Sequence, residues 1–97
     1  MEKKKQYFAE ICNMVLEING LDQRLKEKTG DLPTAFFDFS GHVARLDVRI
    51  HLKGYERDRN PDIRFYAYTD KEEELEAMCQ ALENICDLFG INVGASY

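Results

Sequence analysis

The feature that most constrains the fold of this sequence is a run of strict alternation near its middle. Apolar side chains occupy every second position from Ala44 to Leu52, and polar or charged side chains fill the positions between them. A period of two predicts a strand with one face on a core and the other in water, which is typical of antiparallel sheets. Any fold for this chain must therefore cover this strand on one side only.

Shorter alternating segments flank this strand. Residues 35–40 and 63–68 each place apolar side chains on one face and mostly polar or aromatic side chains on the other. The sequence Ser40-Gly41-His42 predicts a tight turn, and residues 54–62 predict a charged loop. Together these patterns predict three consecutive antiparallel strands.

A first helix is predicted over residues 3–28. Its apolar positions recur at spacings of four and three, as on a helix that lies on a core. Asn19-Gly20 interrupts the pattern and is typical of a turn, but the apolar phase continues across it, so we predict one long or gently bent helix. Gly30 is expected to end it. The stripe consists of Tyr7, Ile11, Met14, Ile18, Leu21 and Leu25.

A second helix follows the third strand. Thr69 and Glu72 match a capping box, in which the hydroxyl accepts from the Glu72 amide and the carboxylate reaches back. An apolar stripe runs from Leu75 to Phe89, and Gly90 occupies the position where a left-handed residue ends a helix. The tail, residues 91–97, is compatible with a fourth short strand or with packing beside the helix.

The order of elements is therefore α-β-β-β-α within a single domain, residues 1–97. Two amphipathic helices and one apolar sheet face must bury each other. The expected fold is an α+β two-layer sandwich, with both helices on one face of a three-stranded antiparallel sheet. The other sheet face stays open.

Composition argues against several classes of function. No apolar run is long enough to span a membrane, and acidic residues after Lys3-Lys4-Lys5 break up any secretory leader, so we expect a cytoplasmic protein. The three cysteines, an odd number inside helical patterns, match neither a disulfide framework nor the spacing of a zinc site. No phosphate-binding glycine loop is present. We expect no metal and no cofactor.

Catalysis has one candidate constellation. Asp38, Asp47 and His51 share the open face, and an Asp–His pair serves as base and orienting group in many enzymes. The face of a small sheet offers little depth for excluding water, and the pattern places no serine or cysteine nucleophile nearby. We therefore expect a protein that is not an enzyme.

The net charge of −5 is concentrated in the last helix. Residues 1–32 are neutral, residues 33–69 carry +1 and residues 70–97 carry −6. The helix dipole favours carboxylates at a helix start, which would suffice for a well-capped helix. So many carboxylates repel one another, and fewer would satisfy the dipole. Their density therefore also favours a second role, in which this surface binds a basic protein partner in place of nucleic-acid phosphates. The predicted binding residues are Asp70, Glu72, Glu73 and Glu76, together with Glu56 and Asp58 of the charged loop.

The order of elements resembles that of the double-stranded RNA-binding domain, whose last helix begins with basic side chains. Here Thr69-Asp70-Lys71-Glu72-Glu73-Glu74 has the opposite sign, which would repel phosphates. In size, element order and charge the chain is also similar to small acidic phage-encoded inhibitors of CRISPR nucleases, some of which fill basic nucleic-acid channels with carboxylates. That resemblance implies an inhibitor, from a phage or mobile element, of a nucleic-acid-binding enzyme.

Two alternatives stay open. Rings and guanidinium groups on the open sheet face predict a single-stranded RNA- or DNA-binding module, although such pairs also stabilise sheets by cross-strand contact. The spacing of the first helix is compatible with a homodimer formed by coiled-coil-like pairing. The residues of the sheet-face alternative are Phe36, Arg45, Arg49, Arg64, Tyr66 and Tyr68.

Overall fold

The computed structural model describes residues 2–91, and the α+β fold that the sequence predicts is confirmed. A short additional helical turn, α2, lies between the first helix and the sheet. The predicted role of the tail falls on residues 92–97, outside the described part of the chain. The elements are α1 (Lys3–Asn19), α2 (Lys26–Thr29), β1 (Thr34–Ser40), β2 (Arg45–His51), β3 (Ile63–Tyr68) and α3 (Glu72–Leu88).

The three strands form one antiparallel sheet in the order β1-β2-β3. Phe36 pairs with Arg49 across the first hairpin, and Arg49 pairs with Arg64 across the second. The strict alternation of β2 divides its side chains as predicted, because Leu46, Val48 and Ile50 are completely buried. Ala44 is not part of the strand, since it adopts a positive φ of 53° in the turn that precedes Arg45.

Both helices pack on the buried face of the sheet, α1 over β1 and α3 over β3. Side-chain contacts join Tyr7 to Glu76 and Glu10 to Cys79, and each pair is separated by 69 residues. A constant separation means that α1 and α3 run parallel, with their N-termini at the same end of the sheet. The core is built mainly from Ile11, Met14, Ile18, Leu46, Val48, Ile50, Leu75, Leu82 and Cys86.

The prediction of one helix over residues 3–28 is wrong, because α1 ends at Asn19. Gly20 has a φ of 69°, and the Asn19 carboxamide turns to the sheet, where it exchanges two hydrogen bonds of 2.7 Å with the backbone of Ala35. Arg24 then donates to the carbonyls of Ile18 and Pro33. The apolar phase beyond Gly20 was coincidental, since Leu21 is 90% exposed.

The predicted capping box at α3 is also wrong. Lys71 occupies the N-cap position, so Thr69 lies two residues too early to cap the helix, and its hydroxyl donates to the Ala44 carbonyl at 3.2 Å. The helix begins at Glu72, and Glu74 is the carboxylate that reaches back, accepting from the Tyr68 N–H at 3.0 Å. Tertiary hydrogen bonding has therefore replaced the local cap.

The end of α3 follows the prediction. Gly90 has a φ of 74°, a conformation that glycine adopts without a steric penalty. The Gly90 N–H donates to Asp87 and the Ile91 N–H to Cys86, which is the pair of bonds that defines a Schellman motif. Ile91 packs against the core, so the chain leaves α3 along the helical layer.

Candidate functional site

The outer side of the α1–α3 pair carries a row of carboxylates, which we call the acidic ridge. Five of them are exposed and two are half-buried. They follow from the parallel packing of two helices whose charged residues border the same seam. The acidic ridge comprises Glu10, Glu17, Glu72, Glu73, Glu76, Glu83 and Asp87.

No ion pair of the described residues involves the acidic ridge, although Lys3, Lys4 and Lys5 lie at the start of α1, close to its first carboxylates. Residues 6–19 of α1 and the whole of α3 contain neither lysine nor arginine. Within residues 2–91, each Lys or Arg ion pair involves a carboxylate outside the ridge, as when Lys71 pairs with Glu74 at 3.7 Å. Beyond the first turn of α1, the ridge therefore has no compensating cation on either helix.

Neutral hydrogen-bond donors hold two of the ridge carboxylates in place. The Tyr7 hydroxyl donates to Glu76 at 2.8 Å. The Cys79 thiol lies 3.2 Å from the Glu10 carboxylate and donates to it. These contacts fix side chains across the seam without neutralising their charge.

The pKa values of three titratable groups along the seam are raised, in part by this negative charge. The hydrogen bond to Glu76, followed by burial and by the charges of Glu76 and Glu72, raises the pKa of Tyr7 to about 12. Burial, with the hydrogen bond to Glu10 and nearby carboxylates, raises the pKa of Cys79 to about 12. Burial also raises the pKa of Cys86, and the nearby carboxylates add to the shift.

The structure brings together some of the predicted acidic residues and separates others. Glu72, Glu73 and Glu76 are exposed on the first turns of α3, and Asp70 lies just before them. Glu56 and Asp58 follow β2, at the far end of a seven-residue strand, about 20 Å away. Glu56 is paired with Lys26 at 3.0 Å. The loop carboxylates are thus not part of the same surface.

Sequence reasoning missed the ridge residues beyond the start of α3. Glu10, Glu17, Glu83 and Asp87 join the surface only because α1 lies parallel to α3. A signal was present, namely the absence of any basic residue between Lys5 and Arg24. Assigning it to this surface required knowing which helix faces meet.

The open sheet face carries all six residues predicted for it. The Arg45 guanidinium lies over the Tyr66 ring, 4.3 Å from its centroid, and Arg49 lies 5.3 Å from the centroid of Phe36. The Tyr66 and Tyr68 rings meet edge to face at 6.2 Å. The rings and cations are therefore already in contact with one another.

The arginines of this face are also paired with aspartates. Arg49 binds Asp38, and Asp47 lies 3.1 Å from the Arg64 Nε and 3.3 Å from the Arg45 Nε. Three arginines and two aspartates leave a net charge of only +1. A phosphate that approached would have to compete with these pairs.

His51 does not contact either aspartate. It is 4% exposed, beneath Phe36 and Tyr55, whose ring centroids lie 5.7 Å and 5.3 Å from its own. Tyr55, which the sequence assigned to a charged loop, thus folds over the end of the open face. Gly54 makes this conformation possible. Its φ is 93°, and a Cβ on this residue would lie 2.8 Å from the Gly30 carbonyl oxygen.

Comparisons with known proteins give no further guidance. No family model matches the chain, and neither a curated protein nor a solved structure is detectably similar to it. Across residues 2–91, no helix has the length and apolar character needed to cross a membrane. In the same range, no three histidine, cysteine or acidic side chains are grouped as metal ligands would be.

Proposed function

We propose that this chain is a non-enzymatic binding protein that engages a basic protein surface through its acidic ridge. The observation that carries the proposal is the contrast between the two surfaces. Carboxylates of the ridge have no cationic partners among the described residues, whereas the arginines of the open sheet face are paired with Asp38 and Asp47. The ridge is the surface with charge left to satisfy.

The spacing of the ridge supports a partner that normally binds nucleic acid. Glu72 and Glu76 are one helical turn apart, about 6 Å, and Asp87 lies about 22 Å from Glu72 along the axis. Seven carboxylates over this length give about one charge per 3–4 Å of axis, close to the ~3.4 Å per phosphate along one strand of duplex DNA. A channel lined with lysine and arginine would meet a comparable row of anions.

The most concrete form of the proposal is an inhibitor that occupies the nucleic-acid channel of an enzyme, as a phage or mobile-element protein would. Such a protein must hold its charges in position before it binds, since ordering side chains on association costs affinity. The hydrogen bonds from Tyr7 to Glu76 and from Cys79 to Glu10 provide that order.

The test compares two triple variants with equal charge. The ridge triple changes Glu72, Glu73 and Glu76 to Lys, and its matched control changes the exposed residues Asp22, Glu27 and Asp31 to Lys. Each replaces three negative charges with three positive ones and takes the net charge from −5 to +1. Circular dichroism verifies that both variants are folded before binding is measured.

Binding is measured as protein captured from a host lysate on the immobilised chain, at low and at high salt, with duplex DNA as a competitor. We expect the wild type and the control to retain the same basic partner, to lose it as salt rises, and to lose it to DNA. The ridge triple should retain none. Equal capture by both triples would refute the proposal.

Single-stranded nucleic acid is the competing ligand, through the open sheet face. Fluorescence anisotropy with labelled oligonucleotides at low salt distinguishes the two functions. Binding that Tyr66→Ala abolishes and the ridge triple leaves intact would replace the proposal with a nucleic-acid-binding function.

A further inference from the structure

The sheet has two edges, and hydrogen-bond alternation shows which backbone groups point outward from each. The Thr69 N–H bonds to the Ala44 carbonyl at 2.7 Å, which sets the phase of the β2–β3 ladder. Every second residue of an edge strand then directs its N–H and C=O away from the sheet. These residues are Arg64, Tyr66 and Tyr68 on β3, and Ala35, Phe37 and Phe39 on β1.

At one end of each edge strand, the outward backbone groups are already hydrogen-bonded to side chains of α1 or α3. Asn19 takes both backbone groups of Ala35, and Glu74 accepts from the Tyr68 N–H. The outward groups of Arg64 and Tyr66 on β3, and of Phe37 and Phe39 on β1, are left without such a cover. Unpaired edges of this kind are sites where another strand can add.

The β3 edge also borders a groove of about 300 Å³ between β3 and α3. Its wall on α3 is formed by Ala77 and Ala81, whose small side chains allow a second helix to approach closely. Phe65 lines its floor, and Tyr66, which is 58% exposed, borders it on the sheet side. A strand added here would find backbone partners and apolar contact together.

We propose that the β3 edge pairs with the β3 edge of a second copy of this chain, forming one six-stranded antiparallel sheet. A two-fold axis through Phe65 places Arg64 opposite Tyr66 of the other copy, twice, so that four N–H···O bonds form. The register also sets a guanidinium beside an aromatic ring on the open face, and the two Phe65 rings together on the other face. This edge is therefore self-complementary.

The β1 edge does not fit a second copy in the same way. Because Asn19 covers Ala35, a two-fold pairing that uses both remaining outward residues, Phe37 and Phe39, passes through Asp38. That register puts Asp38 directly opposite its own copy, and like charges in that position are destabilising. Self-association should therefore be confined to β3.

The charge of α3 does not oppose this arrangement. The side of the helix that faces the groove carries Ala77 and Ala81, and Glu74 there is engaged by Lys71 and by the Tyr68 N–H. Of the ridge residues on α3, Glu72, Glu76, Glu83 and Asp87 lie on the opposite flank, along the seam with α1, and Glu73 is exposed one turn before Ala77. A dimer would therefore display two ridges, and a strictly monomeric protein would leave the proposed function intact.

The experiment is sedimentation equilibrium from about 5 to 500 μM, the range suited to a small interface. The average mass should rise from 11.3 kDa toward twice that value. Tyr66→Pro removes an outward N–H without breaking the β2–β3 ladder, and should weaken the dimer about tenfold or more. Phe39→Pro is the matched control at the other edge and should leave the dimer unchanged.

A second pair of variants avoids any change to the strands. Ala77→Glu adds a charge within the groove and should dissociate the dimer, whereas Ala9→Glu, at an exposed alanine of α1, should not. Hydrogen exchange at the Arg64 and Tyr66 amides should slow as protein concentration rises. A monomer at every concentration, a dimer broken by Phe39→Pro alone, or protection that appears only with another protein would each overturn the proposal.

Discussion

The Asn19 carboxamide offers the sharpest test of how the two layers are joined. Asn19 is the last residue of α1. Its side chain donates to the Ala35 carbonyl and accepts from the Ala35 N–H, both at 2.7 Å, which are the two bonds that a neighbouring strand would otherwise make to this residue of β1. Ala35 is 5% exposed, so water cannot take over these bonds. Asn19→Ala should therefore leave two buried backbone groups without partners.

The expected cost follows from those two bonds. Leaving the two Ala35 backbone groups without partners costs about 1–2 kcal/mol each, the lower part of the usual range because Asn19 is itself only half-buried. The better helix propensity of alanine returns about 0.5 kcal/mol. We expect the free energy of unfolding to fall by about 2–3 kcal/mol, which corresponds to a decrease in Tm of about 10–15 °C for a domain of this size.

Urea titration followed by circular dichroism measures this change. Asn84→Ala is the matched control, since the Asn84 side chain lies on the exposed side of α3 and accepts only from Gln80. It should alter the free energy of unfolding by less than about 0.5 kcal/mol. Asn19→Asp keeps an acceptor for the Ala35 N–H but sets a carboxylate oxygen against the Ala35 carbonyl at a helix C-terminus, so it should be at least as destabilising as Asn19→Ala. A loss below about 0.5 kcal/mol in Asn19→Ala would refute the reasoning.

Three further predictions concern the turn, the thiols and pH. Gly54→Ala should destabilise the fold by about 2–3 kcal/mol through left-handed strain and the contact with a carbonyl oxygen, whereas Gly41→Ala, with open space around it, should be nearly neutral in thermal melts. Iodoacetamide at pH 8 should label Cys12 while Cys79, with its pKa raised to about 12, stays unmodified until urea is added. The folded state retains the protons of Cys79 and Tyr7 at pH values where the unfolded state has released them. The free energy of unfolding should therefore fall as pH rises from 9 to 12. Equal stability in urea titrations at pH 8.5 and 11 would contradict this.

The parts of the fold that were predictable from sequence depend on strictly local geometry. A period of two in β2 assigns each side chain to one face of a sheet whatever lies around it, and Leu46, Val48 and Ile50 are buried as that rule requires. Gly90 was predictable for the same reason, since the left-handed end of a helix depends on the residues beside it.

The errors lie where a distant backbone group competed with a local one. Asn19 ended α1 because Ala35 offered it two hydrogen bonds, although the residues are 16 positions apart. Thr69 did not cap α3 because its N–H and hydroxyl both donate to the Ala44 carbonyl, 25 positions away, which keeps Thr69 in the β2–β3 hairpin while the helix begins at Glu72. The residue at which a helix begins or ends depends on one or two hydrogen bonds, so a single tertiary contact is enough to change it.

The candidate site shows the same division. The carboxylates of the first turns of α3 were visible as a block in the sequence, but the acidic ridge extends along both helices because they run parallel. Glu10 and Glu17 could not be assigned to it from α1 alone, whose acidic residues are as sparse as on any solvated helix face. The open sheet face was predicted residue by residue, whereas the pairing that reduces its charge to +1 depends on cross-strand contacts that only the register defines.

The way in which the seam is held together explains how a fold tolerates so many carboxylates without cations. A lysine or arginine opposite Glu76 or Glu10 would stabilise the helix pair and cancel the charge at the same time. A phenol and a thiol instead donate hydrogen bonds to those carboxylates, which lowers the cost of placing them at a packed boundary while their negative charge remains. The negative charge of the ridge is therefore retained, and the raised pKa of both Tyr7 and Cys79 is the thermodynamic counterpart of that arrangement.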